Sequence, residues 1–123
     1  MKSKQLYRVH ANICQSLTHP TRLEIVDCLR DGEKNVTRLV KELGVPQESV
    51  SRHLRMMRST GIVLSRREGT SVYYRLGSPK IIAAYDLMHR YSQEYLSSSA
   101  ALASGENNLK SEFERLRSED PGD

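Results

Sequence analysis

The chain has 123 residues, and its 19 lysines and arginines outnumber its 15 aspartates and glutamates, giving a formal net charge of +4. This length suits a single domain, and no apolar run approaches the roughly 18 residues of a membrane-spanning helix. Two cysteines are too few for a disulfide-stapled secreted domain, and the polar N-terminus lacks a signal-peptide pattern. Membrane and small secreted classes are thereby excluded, and we expect a cytoplasmic protein.

Two helices are predicted in the first 30 residues. The first covers Lys4–Ser16, because its apolar residues recur at helical spacing: Leu6, Val9, Ile13 and Leu17. Pro20 suits the first turn of a second helix, which runs to about Arg30. We expect that second helix to bury three apolar positions: Leu23, either Ile25 or Val26, and Leu29.

Two shorter helices joined by a tight turn follow a predicted loop over Asp31–Asn35. They cover Val36–Leu43 and Gln47–Ser59, with Gly44-Val45-Pro46 between them, an arrangement typical of a helix-turn-helix. Apolar residues of the later helix face the domain, which leaves its polar residues on other faces: Gln47, Ser49, Ser51, Arg52 and Arg55. Side chains of these types bind base edges and phosphates in a major groove.

A basic hairpin is predicted directly after this helix. Strands over Ile62–Glu68 and Ser71–Leu76 are joined at Gly69-Thr70, and Arg66 and Arg67 lie close to the turn. Tyr73 and Tyr74 alternate across the returning strand, so that one packs on the core and the other can offer its hydroxyl to DNA. We assign the DNA-facing role to Tyr74.

Positive charge is concentrated in these two elements. Six arginines and one glutamate lie between Ser49 and Leu76, whereas residues 105–123 contain six acidic and three basic residues. Arginine offers a planar fork that matches phosphates and guanine edges. A helix-turn-helix followed by a basic hairpin therefore predicts a winged helix that binds double-stranded DNA, with no enzymatic site, since no nucleophile–base set or phosphate loop is present.

The last predicted helix begins at Pro79 and extends to about Ser97. Six of its residues are candidates for burial: Ile81, Ile82, Tyr85, Met88, Tyr91 and Tyr95. Beyond it the chain is polar and acidic, and we expect residues 101–123 to form a tail that is partly disordered.

Three segments resemble the ArsR/SmtB family of metalloregulators. Leu17–Ile25 resembles the family's opening motif, Ser49–Leu54 its recognition-helix signature, and Arg66–Leu76 its wing. The resemblance covers about Leu6 to Tyr95. It implies a homodimeric winged helix, mainly helical with one small β-hairpin, in the order four helices, two strands and a last helix. Residues 1–100 would form this DNA-binding and dimerisation domain, with the first and last helices at the dimer interface.

The resemblance also implies a function. A repressor of this family binds operator DNA without inducer and releases it when the inducer arrives. By position, Gln47, Ser49 and Arg52 are the expected base-reading residues, and Ser51 and Arg55 lie nearer the DNA backbone. His53 is interpreted as a structural histidine.

The inducer is less determined, because the metal sites of the family are not matched. In the family, one metal site uses cysteines at the start of the third helix, but the matching segment here, Asn35–Leu39, contains no cysteine. The family's zinc site uses four ligands on the last helix, and the matching positions here are occupied by Ser78, Lys80, Tyr91 and Glu94. No metal or cofactor is therefore assigned. Cys14 and Cys28 are the only thiols, and by similarity to thiol-sensing members they become the predicted redox effector residues.

Two alternatives remain open at this point. His10 and Cys14 share a helix face, as do Asp86 and His89, and a dimer interface bringing these helices together would offer a non-standard metal site. A winged helix can also serve as a protein-interaction module instead of binding DNA.

Overall fold

A computed structural model describes residues 3–101 and residue 115, and the predicted acidic tail otherwise lies outside the described residues. The elements follow the chain as α1 (Lys4–Gln15), α2 (Pro20–Cys28), β1 (Lys34–Asn35), α3 (Val36–Leu43), α4 (Gln47–Ser59), β2 (Val63–Glu68), β3 (Ser71–Leu76) and α5 (Pro79–Ala101). Over residues 3–101, five helices and an antiparallel hairpin confirm the predicted fold class, and the bounds of α3, α4 and β3 are as predicted.

Side-chain caps fix the starts of the first three helices. Ser3 accepts a hydrogen bond from the Leu6 amide at 3.1 Å, and Asn35 accepts one from the Arg38 amide at 2.8 Å. His19 caps α2 through its ring, with Nδ1 accepting from the Thr21 amide at 3.1 Å. Each cap satisfies an amide that the first helical turn would leave without a partner.

A left-handed glycine makes the turn between α3 and α4. Gly44 ends α3 with φ of 67°, and its amide donates to the Val40 carbonyl at 2.9 Å. A side chain is strained at this backbone angle, so glycine lets the chain reverse within three residues. The turn sets α4 against α2 and α3 as the second helix of the helix-turn-helix.

The sheet has three strands, because part of the predicted Asp31–Asn35 loop is β1. The strand order is β1-β3-β2, with both pairs antiparallel. β3 is therefore central, and Tyr74 lies opposite Lys34 on one side and Ser65 on the other. The loop was predicted because a two-residue strand has no period of its own and forms only by pairing with a distant partner.

The core lies among α2, α3, α4 and the sheet. Its fully buried side chains come from these elements: Ile25, Val26, Leu39, Val50, Leu54, Met57 and Val63. Both Ile25 and Val26 are buried, whereas the predicted burial of Leu23 is wrong, since 42% of its surface is exposed. Among described residues, no helix has the length and apolar character needed to span a bilayer.

The chain divides into two compact units, Met1–Tyr85 and Asp86–Asp123. In the first unit Ile81, Ile82 and Tyr85 pack on the core, as predicted. In the second unit, 64% of the surface of Met88 and 59% of that of Tyr91 are exposed. The prediction that a single chain buries these two side chains is therefore wrong.

Candidate nucleic-acid interface

The outward face of α4 carries the predicted DNA-reading side chains. Val50, Leu54 and Met57 are buried, which turns the opposite side of the helix to solvent. At 3.6 residues per turn, Arg52 and Arg55 lie about 60° apart near the middle of that exposed side. Both arginines are therefore accessible to a ligand that approaches α4 from outside the domain.

The remaining predicted residues of α4 lie at the edges of this face. Gln47 is exposed in the first turn, whereas Ser49 and Ser51 are half-buried. Glu48 lies in the first turn and Arg58 in the last, where each charge is opposite to the partial charge of the helix end. The helix thus presents a cationic centre flanked by short polar side chains.

His53 lies on the inner side of α4, as expected for a structural histidine. Only 6% of its surface is exposed, and Nδ1 accepts a hydrogen bond from Arg22 Nε at 3.0 Å. Burial lowers the pKa of His53, and the neighbouring His19, Arg22 and Arg52 lower it further. His53 therefore faces the domain as a neutral imidazole.

The structure corrects the assignment of Tyr74 to DNA contact. Tyr74 has only 8% of its surface exposed and belongs to the core, because it lies on the same sheet face as Val63 and Leu76, which also pack there. Tyr73 points the other way and is half-buried, with the guanidinium carbon of Arg66 lying 4.8 Å from its ring centre. The alternation was predicted, but the wrong tyrosine was assigned outward.

The two predicted wing arginines have different surroundings. Arg66 donates from Nε to both carboxylate oxygens of Glu33, at 2.9 and 3.0 Å, and from Nη1 to Glu68 at 3.0 Å. Its Nη2 also bonds to Glu33. These contacts hold the pKa of the Glu33 carboxyl below its usual range. Arg66 is thus occupied by two carboxylates in the free protein.

Arg67 is exposed and forms no ion pair within the described part of the chain, and the same is true of Arg52 and Arg55. These three guanidinium groups keep all their donors available for an external anion. Glu33, which the sequence reasoning missed, decides the difference between Arg66 and Arg67. Only the pairing of β1 with β3 brings Glu33 near the wing, and no local pattern signals that pairing.

The two predicted effector cysteines are both free thiols. Cys14 is exposed near the end of α1, where its carbonyl accepts from the Thr18 hydroxyl, just before α2 begins. Cys28 is the last residue of α2, about 12 Å along the helix axis from Pro20. Cys14 thus precedes α2 in the chain and Cys28 ends it, and no disulfide joins them in the structure.

Cys28 lies beside a network of charged groups. Lys34 and Arg38 both bind the Glu42 carboxylate, at 2.6 and 2.9 Å, and lower the pKa of Glu42 to about 2. Burial raises the pKa of the Cys28 thiol, and Glu42 raises it further. Cys28 is therefore a weak nucleophile near neutral pH. Within the described residues, no three His, Cys, Asp or Glu side chains converge to hold a metal.

Comparison with known proteins supports the interpretation of α4 and the hairpin as a DNA-binding surface. The model of the family described as bacterial regulatory protein, arsR family, matches residues 19–65. The transcriptional repressor PagR of Bacillus anthracis is 38% identical over 81 residues, which span 64% of this chain and 80% of PagR. The transcriptional activator HlyU of Vibrio cholerae is 33% identical over 78 residues, covering 63% of this chain and 72% of HlyU.

Solved structures show the same fold. A homodimeric winged helix-turn-helix DNA-binding domain from Mycobacterium bovis, solved by NMR in solution, superposes with a TM-score of 0.69 at 29% identity, over 78% of this chain and 92% of that one. Reduced HlyU from Vibrio cholerae superposes with a TM-score of 0.64 at 30% identity, over 72% of this chain and 93% of that one.

Proposed function

This chain belongs to the ArsR family of bacterial regulatory proteins, and from that premise we propose that it binds operator DNA as a homodimer and represses the adjacent genes. α4 is the recognition helix, and the β2–β3 hairpin is the wing. Gln47, Arg52 and Ser49 read base edges, while Ser51, Arg55 and Arg67 bind phosphates.

One observation carries the DNA-binding proposal. Arg52, Arg55 and Arg67 are exposed on the helix and wing, and none of them forms an ion pair among residues 3–101 and 115. Elsewhere on the surface Arg38 is paired with Glu42. Cations left unpaired on a recognition helix and its wing are the pattern expected for phosphate contacts.

Exposed apolar side chains support the homodimer. On α1 these are Leu6, Tyr7 and Val9, each 47–59% exposed, and on the second unit they are Leu87, Met88 and Tyr91, each 59–64% exposed. Contiguous exposed apolar residues of this kind mark protein interfaces. The homodimeric Mycobacterium bovis domain is in accord with such an assembly.

A selection experiment tests the DNA-binding proposal. The protein is incubated with random 30-base-pair duplexes, and the recovered sequence is used for binding between 50 and 200 mM salt. We expect a two-fold related sequence and an affinity that falls steeply with salt, since several phosphates are contacted. No enriched sequence, or an affinity indifferent to salt, would instead favour a protein-interaction module.

Arg52→Ala identifies the base-reading contact. It should cost about 1–3 kcal/mol on the selected duplex and relax the preference at one position. Arg30→Ala, which removes an exposed arginine paired with Asp27, is the matched control and should leave that preference unchanged. A promoter fusion then separates repression from the activation that the name of HlyU describes.

Thiol oxidation at Cys14 and Cys28 is the proposed inducing signal. The exposure of Cys14 and the similarity to a protein solved in a stated reduced form support it. Operator binding of Cys14→Ser, Cys28→Ser and the wild type is compared with and without a peroxide or polysulfide oxidant. We expect Cys14→Ser to abolish the response, and equal responses in all three proteins would refute the proposal. A metal titration of the same proteins tests the alternative of a metal inducer.

A further inference from the structure

A partly buried polar bridge links the end of α1 and the start of α2 to the recognition helix. Arg22, in the first turn of α2, donates from Nε to His53 Nδ1 at 3.0 Å and from Nη1 to the Ser16 carbonyl at 3.4 Å. Ser16 Oγ in turn accepts from the Thr60 hydroxyl at 2.9 Å. Ser16 is 2% and His53 6% exposed, whereas Arg22 and Thr60 are half-buried.

The bridge contacts the recognition helix at two positions along its axis. His53 lies at the middle of α4, and Thr60 is its C-terminal cap, while Ser16 is the C-terminal cap of α1. Two fixed points along one helix determine its direction as well as its position. The bridge therefore connects two points of α4 to the end of α1.

The bridge depends on the protonation state of His53. A guanidinium group only donates, so Nδ1 of His53 must accept and carries no proton. A proton on Nδ1 would remove that acceptor and place a second cation against Arg22.

The groups around His53 would make such a proton unfavourable. The groups that face it are His19 before α2, with ring centres 4.3 Å apart, Arg22 on α2 and Arg52 on its own helix. All three are cations or become cations on protonation, and each lowers the pKa of His53. Below that pKa, the charge on His53 would repel its neighbours and open the bridge.

We propose that Arg22 and His53 are positioning residues of the DNA-binding surface, which hold α4 at a fixed angle to α1 and release it when His53 is protonated. This inference rests on the proposed function. In a dimer, two recognition helices must enter half-sites about one helical turn of DNA apart. A change in the angle of α4 then disturbs both half-sites at once, although neither Arg22 nor His53 contacts DNA.

Two substitutions at His53 separate positioning from simple stability. His53→Asn places an amide oxygen at the position of Nδ1, so that the acceptor is kept without a titrating group. His53→Phe keeps a ring and removes the acceptor. Glu24→Gln, at an exposed titratable position of α2, is the control. Thermal melting followed by circular dichroism selects conditions in which every variant is folded.

The readout is the ratio of affinities for two duplexes, the one selected by the wild type and a scrambled one of equal composition. Between pH 7.5 and 4.5 we expect the wild-type ratio to fall about tenfold, because a hydrogen bond to a charged group is lost once His53 is protonated, and burial and the neighbouring groups lower the pKa of His53 so that this change occurs below pH 6.5. The ratio of Glu24→Gln should fall as that of the wild type does. His53→Asn should keep the ratio at both pH values, and His53→Phe should show the low ratio even at pH 7.5.

A wild-type ratio that does not change with pH would overturn the proposal, and so would a His53→Phe ratio equal to that of the wild type. If His53→Phe does not fold, Arg22→Lys replaces it, since a single ammonium cannot hold both His53 and the Ser16 carbonyl. Failure of the wild type to select any duplex refutes the proposed function itself. Different results therefore refute the positioning proposal and the proposed function.

Discussion

The two adjacent wing arginines should contribute unequally to DNA binding. Arg66 is held by Glu33 and Glu68, whereas Arg67 is exposed without an ion pair among the described residues. The double substitution Glu33→Gln with Arg66→Gln removes one negative and one positive charge, so the net charge of the wing region is unchanged. Arg67→Gln removes a single positive charge that has no carboxylate partner there.

The expected magnitude follows from counterion release. Each phosphate contact contributes about 0.9 to the slope of the logarithm of affinity against the logarithm of salt concentration. If Arg67 holds one phosphate, Arg67→Gln reduces the slope by about 0.9. Between 50 and 200 mM salt, this amounts to a difference of about 3.5-fold in how far the affinity falls. The charge-matched double variant should keep the wild-type slope.

Fluorescence anisotropy on the selected duplex measures these slopes at five or six salt concentrations. Circular dichroism melting confirms that the double variant keeps the hairpin folded. A slope that decreases by about one in the double variant and stays constant in Arg67→Gln would refute the reasoning. Arg66 would then leave Glu33 on binding and become the phosphate ligand.

Three further predictions concern stability and reactivity. Leu54→Ala, at a fully buried position of α4, should destabilise the protein by about 2–5 kcal/mol in urea unfolding, and a loss below 1 kcal/mol would contradict the packing. Iodoacetamide at pH 7.5 should modify Cys14 well before Cys28, because burial raises the pKa of Cys28; equal rates by mass spectrometry would refute this. The pKa of Glu42 is about 2 in the folded protein, so its ion pairs stabilise the protein above pH 4.5 and are lost as the pH falls toward 2. Glu42→Gln should therefore reduce the dependence of the unfolding free energy on pH between 4.5 and 2. The same dependence in the variant and the wild type would contradict this prediction.

Much of the fold could be predicted because its signals are local. The start of α4 after Gly44-Val45-Pro46 and the turn at Gly69-Thr70 depend on residues within a few positions of one another. The helical spacing of Val50, Leu54 and Met57 likewise identified the buried side of α4. Such features need no knowledge of distant parts of the chain.

The errors at the wing share a different cause. Tyr74 was assigned outward because alternation says only that neighbouring residues face opposite ways, and which face of the sheet is buried depends on packing against distant helices. Likewise, Arg66 was treated as equivalent to Arg67 because Glu33, its partner, is 33 positions away. Met88 and Tyr91 were expected to be buried, and the exposed face they form suggests a second chain, not the core of one chain.

The positive charge behind the net value of +4 is concentrated on α4 and the hairpin. By itself, the sequence determined the winged-helix order, the side of α4 that faces solvent and the concentration of arginine on helix and wing, since each follows from composition and short-range periodicity. Only the tertiary structure decided which of those arginines are available, which tyrosine is buried, and that Arg22 joins Ser16 to His53. Those features depend on contacts between residues far apart in the chain, and such contacts exist only when the fold has closed.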